Sequence, residues 1–339
     1  MALQHSRTKH ANVAVFVPHN GCPHTCSFCN QRTISGQSAQ PSPEEVARVL
    51  HEDLERLKQR GGEYYGRELA FFGGSFTAID REYMVSLLEA AQPYLGRSVA
   101  GIRCSTRPDC IDSDVLGLLK RYGVTAIELG AQSMDDRVLS LNERGHTAAQ
   151  VEEASRLIRE HDIELGLQMM TGLYGDTDRG AVETARRLAA LKPTTVRIYP
   201  TVVLRGTTLG QLFESGDYTP QTLEQAVEQC ATLLEFFAGR GIRVIRLGLH
   251  ASPDVEENYL AGAYHPALRE LCEGRIYLRR MLSGLKNSPE IKGFAVHPTE
   301  LSKALGQRRC NIAELSKHMD DPVIKADQQI APGEIKNIY

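Results

Sequence analysis

The chain has 339 residues, 42% of them hydrophobic, which is enough for one large α/β domain or two smaller ones with a sizeable core. A formal charge of −3 excludes a globally basic nucleic-acid binder and leaves only a local basic face as an electrostatic route to one. The opening MALQHSRTKHANV lacks the apolar core of a signal peptide and no apolar run is long enough to span a membrane, so no membrane association and a cytoplasmic location are expected.

Residues 13 to 18, VAVFVP, read as a strand covered on both faces, because so short a continuous apolar run suits a parallel sheet. The loop behind it holds Cys22, Cys26 and Cys29 within eight residues. Three thiolates hold three irons of a [4Fe–4S] cluster and leave the fourth open to a small molecule, whereas electron carriers normally use four cysteines. The competing reading is a zinc site in which His24 or a distant residue completes the same triad. Zinc knuckles and ribbons usually carry a second CxxC pair, which is missing here, so iron–sulfur is preferred.

Ser42, Pro43 and Glu45 start a helix as cap, first-turn proline and third-position acid, and Val46, Val49, Leu50, Leu54 and Leu57 form its stripe. A strand over 68–72 runs into Gly73-Gly74-Ser75-Phe76-Thr77, and a helix follows over 81–91. Further strands are predicted at 101–105, 125–129, 164–170 and 195–199, with helices near 112–121, 147–160 and 178–191. This alternation favours parallel β/α architecture wound by right-handed crossovers into a barrel or an open sheet. The helix beginning near Pro220 places Cys230 on its apolar stripe, and 242–249 supplies one more candidate strand. Beyond lie a helix over 266–281, short helices at 299–305 and 311–318, and a terminal strand in GEIKNIY. The division expected is 1–250 for the main unit and 251–339 for a small C-terminal extension.

The CxxxCxxC spacing of Cys22, Cys26 and Cys29, with aromatic Phe28 before the last cysteine, resembles the signature of the radical SAM superfamily. The ordered segments Thr106-Arg107-Pro108-Asp109, Glu128 to Ser133, Arg144-Gly145-His146-Thr147, Met169-Met170 and Tyr199 to Thr207 resemble the radical SAM domain of the Elongator complex catalytic subunit. More distantly, the layout is similar to oxygen-independent coproporphyrinogen oxidases. The resemblance implies a partial (β/α)6 barrel with a small C-terminal α+β appendage, a [4Fe–4S] cluster, S-adenosylmethionine (SAM), and reductive cleavage of SAM to a 5′-deoxyadenosyl radical. It also implies an electron donor of flavodoxin or ferredoxin type and an RNA substrate, tRNA foremost. A radical SAM enzyme acting on a small molecule or cofactor precursor, and a zinc-binding non-enzymatic RNA-interaction protein, are the alternatives.

By the same resemblance, Gly73, Gly74 and Ser75 occupy the segment whose backbone holds the methionyl amine; glycines after a strand allow such close approach. Gln132 matches the glutamine that reaches the ribose, and Arg144 the arginine that pairs with the methionyl carboxylate through its planar fork. An arginine in a loop is otherwise a solvated charge, and Thr147 with Gln150 is spaced as a capping box, so both readings of that stretch stand. Phe28 is placed to cover an adenine or shield the cluster. Two positions depart from the pattern: Ser105 replaces a carboxylate of the Elongator sequence and Gln168 replaces an aspartate of the coproporphyrinogen branch, so SAM binding is expected to differ in affinity or geometry. The chain also leaves too little room for the acetyltransferase domain of the Elongator subunit, so acetyl-CoA use is not expected.

Candidate substrate contacts at strand ends are Arg32, Arg107, Tyr199 and Arg205, Tyr199 and Arg205 being preferred. Arg275, Arg279, Arg280, Arg308 and Arg309 either meet a phosphate backbone or are surface charges balanced by nearby acids, with balance favoured. Cys104, Cys110, Cys272 and Cys310 lack ligand spacing and are expected to be buried free thiols.

Overall fold

The computed structural model describes residues 11–18, 26–30 and 39–339. Strands β1 (Ala11–Val17), β2 (Arg67–Gly73), β3 (Gly101–Thr106), β4 (Val124–Gln132), β5 (Glu164–Thr171) and β6 (Thr195–Pro200) pair in sequence order. A seventh sheet strand is Arg243–Leu247, called β8 because the short β7 (Val202–Leu204) precedes it. All six pairings are parallel, and the sheet curls into a half-barrel with one strand more than the six expected.

The crossovers carry α1 (Pro43–Gln59), α2 (Arg81–Ala91), α3 (Ser113–Arg121), α4 (Asp136–Leu141), α5 (Ala148–Glu160), α6 (Asp178–Ala190), α7 (Thr208–Ser215) and α8 (Leu223–Ala238). Their starts are chemically marked: Ser42 accepts from the N–H of Glu45, and Thr147 with Gln150 closes a reciprocal capping box. Their apolar stripes, such as Val46 and Leu50 on α1, bury against the convex face. A fully buried leucine of this kind contributes roughly 1.5–3 kcal/mol.

The strands alternate because the two faces of the sheet differ. Val13, Val15, Leu69, Phe71, Ile102, Cys104, Ile127, Leu165 and Leu167 face the helices and are buried. Their neighbours along each strand, Phe16, Glu68, Phe72, Arg103, Ser105, Glu128, Gln168 and Arg197, share the concave face. This corrects the expectation for the first strand. Ala14 is exposed and Phe16 is 37% exposed, because β1 is an edge strand and the half-barrel is open beside it.

Two smaller pieces complete the fold. The short β7 pairs antiparallel with β9 (Tyr259–Gly262), which follows the one-and-a-half-turn helix α9 (Pro253–Asn258); these runs were too short to register as periodic. Helix α10 (Leu268–Asn287) puts Leu268, Cys272 and Ile276 into the barrel core and Tyr277, Met281 and Leu285 into a second core. That second core is shared with α11 (Leu301–Leu305), α12 (Cys310–Leu315) and a sheet in which β10 (Gly293–Val296) lies between β11 (Val323–Ala326) and β12 (Ile335–Ile338). No helix among the described residues is long and apolar enough to cross a membrane.

Candidate active site

A parallel sheet brings the C-terminal ends of its strands to one rim, and the sequence-selected residues collect there. Cys22, His24 and Arg32 lie outside the described residues. Cys26 and Cys29 belong to a turn closed by the Cys29 N–H on the Cys26 carbonyl at 3.0 Å. The residue between them that sequence reasoning passed over, Ser27, anchors this turn. Its N–H and hydroxyl donate to the carbonyl and side-chain oxygen of Asn142 at 3.2 and 2.9 Å, and its carbonyl accepts the Leu209 N–H at 2.7 Å. Asn142 is in turn bonded through its amide to the carbonyls of Val138 and Tyr174. Phe28 is half-buried between two apolar groups, Val138, Met170 and Leu173 on one side and Val203, Leu209 and Tyr218 on the other. Among the described residues no group of three or more His, Cys, Asp or Glu converges as a metal site.

At the end of β2, Gly73 adopts φ 106°, a region that costs other residues strain, and a Cβ there would sit 3.1 Å from the Val17 carbonyl oxygen. Gly74 N–H donates to that same carbonyl at 2.8 Å. The Ser75 hydroxyl is buried and engaged, 2.8 Å from Thr106 Oγ1 and accepting the Arg107 N–H at 3.1 Å. It joins the ends of β2 and β3.

Ser105 and Gln168 meet directly. The Gln168 amide donates to Ser105 Oγ at 3.3 Å and to Glu128 Oε2 at 3.0 Å. Glu128, which sequence reasoning used only as part of a motif, is the centre of the concave face. Arg197 reaches it at 2.5 Å and Arg103 at 3.5 Å, while Arg103 also pairs with Glu68 at 2.7 Å. Arg197 stacks 4.7 Å from the centroid of Phe72, which reaches it across the concave face, and its guanidinium lies 3.5 Å from the Tyr199 hydroxyl. Such a stack adds cation–π attraction to the ion pair.

The end of β4 carries a bulge after Gly130, with Gln132 at φ 63°. Arg144 is 6% exposed, not a solvated loop charge; its Nη1 lies 2.9 Å from Cys26 Sγ and its Nη2 donates to the Gly130 carbonyl at 2.6 Å. Arg107, also expected as a substrate contact, is instead buried and forked onto Asp109 at 2.9 and 2.8 Å, with a further bond of 2.7 Å to the Arg144 carbonyl. His146 is 5% exposed, and its Nε2 donates to the Ala131 carbonyl at 3.2 Å. Burial, reinforced by the charge of Arg144, pushes its pKa down to about 4, so the ring is neutral and its Nδ1 is an acceptor.

Four buried atoms around this rim have no hydrogen-bond partner among the described residues: Gln132 Oε1, His146 Nδ1, Arg144 Nε and Arg107 Nη1. Buried polar atoms are normally paired, so these four are open to a ligand as far as the described residues go. Two accept and two donate, which suits a ligand bearing both hydroxyl or ammonium hydrogens and a carboxylate, as SAM does. Together with a thiol pair on a pinned turn, the donor set fits an iron–sulfur cluster with SAM.

The remaining candidates lie elsewhere. Tyr199 is half-buried against Val138, Met170 and Leu173, whereas Arg205 is exposed beyond β7, its N–H on the Asn258 carbonyl. Arg275 pairs with Glu224 and Glu228, Arg279 with Glu228, and Arg280 with Glu235, so three of the tail arginines are balanced by the acids of α8. Arg308 and Arg309 are exposed. Cys104, Cys230 and Cys272 are buried free thiols as expected, but Cys110 is half-buried and Cys310 exposed.

The model of the radical SAM superfamily matches residues 16–188, and that of the radical SAM C-terminal domain matches 193–278. A tRNA uridine(34) acetyltransferase of Dehalococcoides mccartyi is 29% identical over 239 residues, 61% of this chain and 52% of that protein. Elongator complex protein 3 of Homo sapiens is 28% identical over 266 residues, 66% of this chain and 49% of that protein. The chain thus spans about half the length of these curated relatives. Among solved structures, the archaeal Methanocaldococcus infernus Elp3 with an N-terminal deletion shares the fold at TM-score 0.60 and 21% identity, over 81% of this chain and 63% of that one. The family match sets the zinc-protein alternative aside in favour of an enzyme with a [4Fe–4S] cluster and SAM. With its half-barrel, its rim of unsatisfied polar atoms and a superfamily match over 16–188, the chain belongs to the radical SAM superfamily.

Proposed function

We propose that this radical SAM enzyme modifies RNA, with tRNA the leading substrate class. The observation that carries the reading is the shared stretch with proteins named tRNA uridine(34) acetyltransferase and Elongator complex protein 3, which covers 61% and 66% of this chain. Because only about half of each relative is matched, acetyl transfer is left with those proteins.

In this reading Cys22, Cys26 and Cys29 hold the cluster. Bound there, cluster and SAM supply one-electron cleavage of a sulfonium and hence a 5′-deoxyadenosyl radical. Gly73, Gly74 and Ser75 are assigned to the methionyl amine by the resemblance; the glycine at 73 is also required by the Val17 carbonyl, which takes the space a Cβ would need. Gln132 offers its unpartnered oxygen to the ribose, and Arg144 and Arg107 offer unpartnered N–H groups to the carboxylate. Ser105 and Gln168 form a neutral pair on the wall beside them. Phe28 keeps water from the cysteine turn by filling the gap between its two apolar groups. Tyr199 and Arg205 remain the proposed substrate contacts, with the electron delivered by a flavodoxin- or ferredoxin-type donor.

Anaerobic reconstitution with iron and sulfide, followed by reduction in the presence of SAM, is expected to give a brown protein that forms 5′-deoxyadenosine. Mass spectrometry of tRNA nucleosides from a deletion strain tests the substrate. A missing or precursor nucleoside supports the proposal, and an unchanged profile with intact SAM cleavage transfers the enzyme to a small-molecule substrate.

A further inference from the structure

We propose that Arg144 acts on the cluster itself, donating a hydrogen bond to the sulfur of Cys26, and that Arg107 with Asp109 is the positioning pair that keeps it there. The inference rests on the reading that the cysteine triad holds the cluster.

Arg144 Nη1 lies 2.9 Å from Cys26 Sγ although 118 residues separate them in the chain. Its orientation is fixed at both ends. The guanidinium is tied by Nη2 to the Gly130 carbonyl at 2.6 Å, and the Arg144 backbone carbonyl accepts Arg107 Nη2 at 2.7 Å. Arg107 cannot follow a moving Arg144, because Asp109 grips it at two points, 2.9 and 2.8 Å. Swinging the Arg144 side chain toward solvent would strip the Gly130 carbonyl of this donor, which is costly. One N–H of each Nη is thus already committed. Each Nη keeps a second hydrogen and Nε has no partner among the described residues, so contact with SAM and contact with Cys26 use different hydrogens of one group.

The physical effect has a definite sign. One-electron reduction makes the cluster more negative, and a cation donating to a ligand sulfur stabilises that form, the more so where water is excluded. Arg144 therefore raises the reduction potential and eases electron entry.

The test measures the cluster potential without SAM, so that a carboxylate contact contributes nothing. Wild type, Arg144→Gln, Arg144→Lys and Arg107→Lys are reconstituted, their iron is counted, and each is titrated under EPR. A midpoint shifted negative in Arg144→Gln, less so in Arg144→Lys, and slightly in Arg107→Lys is the expected result. An unchanged midpoint in Arg144→Gln overturns the inference. If that variant takes up no cluster, wild-type midpoints in both lysine variants overturn it, and failure of all three to load makes Arg144 an assembly residue and overturns it too. Wild-type protein that itself takes up no cluster sinks the underlying reading instead.

Discussion

Ser27 gives both its backbone N–H and its hydroxyl to Asn142, at 3.2 and 2.9 Å, so the turn carrying Cys26 and Cys29 is fastened to the end of α4. Asn142 is fully buried and spends its amide on two further carbonyls. Asn142→Ala keeps the backbone bond to the Ser27 N–H but removes the acceptor of the buried Ser27 hydroxyl and both amide bonds, at a cost of about 2–4 kcal/mol. The expected outcome is a lower denaturation midpoint together with reduced iron per chain after reconstitution. Full iron loading at unchanged stability would remove Asn142 from the support of the cysteine turn.

Cys26→Ala tests whether that turn is a reaction centre or a structural staple. Cys26 sits at the rim, outside the large apolar core of the sheet and helices. Loss of 5′-deoxyadenosine formation to background is expected, with the circular dichroism spectrum and most of the thermal stability retained. Global unfolding would make the metal structural.

The ion cluster of the concave face predicts a large stability effect that does not involve the cysteine turn. Glu128 neutralises Arg197 and helps neutralise Arg103; Glu128 and Arg103 are buried and Arg197 is half-buried. Glu128→Gln keeps the shape but leaves the arginines undercompensated, a loss of about 3–5 kcal/mol for a broken buried pair. Urea denaturation reads it directly. A loss under about 1 kcal/mol would mean that Glu68 and Glu164 suffice.

His146 gives a pH dependence with a defined sign. Its pKa is lowered from 6.5 to about 4, first by burial and then by Arg144, with Arg107 adding to the effect and Asp109 and the Ala131 carbonyl opposing it. Between those values the unfolded chain binds a proton that the native state does not. Its contribution is therefore complete above about pH 6.5 and is lost as pH falls toward 4, by about 3 kcal/mol in all. Wild type should lose more urea resistance than His146→Gln between about pH 7 and pH 4.5. Parallel losses in both proteins would show that other groups set the acid limb.

The elements of the barrel were legible because their signals are local. The period of apolar residues in 43–59 and 223–238, the cap at Ser42 and the box at Thr147 act within one or two turns, so the starts of these helices fell within a few residues of their expected places, whereas the short helices Asp136–Leu141 and Thr208–Ser215 were not expected. Shorter pieces such as Val202–Leu204 with Tyr259–Gly262 were not, since three or four residues carry no period and take their pairing from a partner far along the chain.

The same division runs through the site. Spacing by itself pointed to a metal site at Cys22, Cys26 and Cys29, with iron–sulfur preferred to zinc, since three thiols in one short loop are a local fact. It specified neither that Arg144 lies buried against Cys26, nor that Arg107 is locked to Asp109, nor that Phe16 faces the open side of the half-barrel. Those were decided by the curl of seven parallel strands, which sets one rim and one concave face. Whether an arginine is a solvated charge or a buried donor depends on what the fold carries to it from more than a hundred residues away.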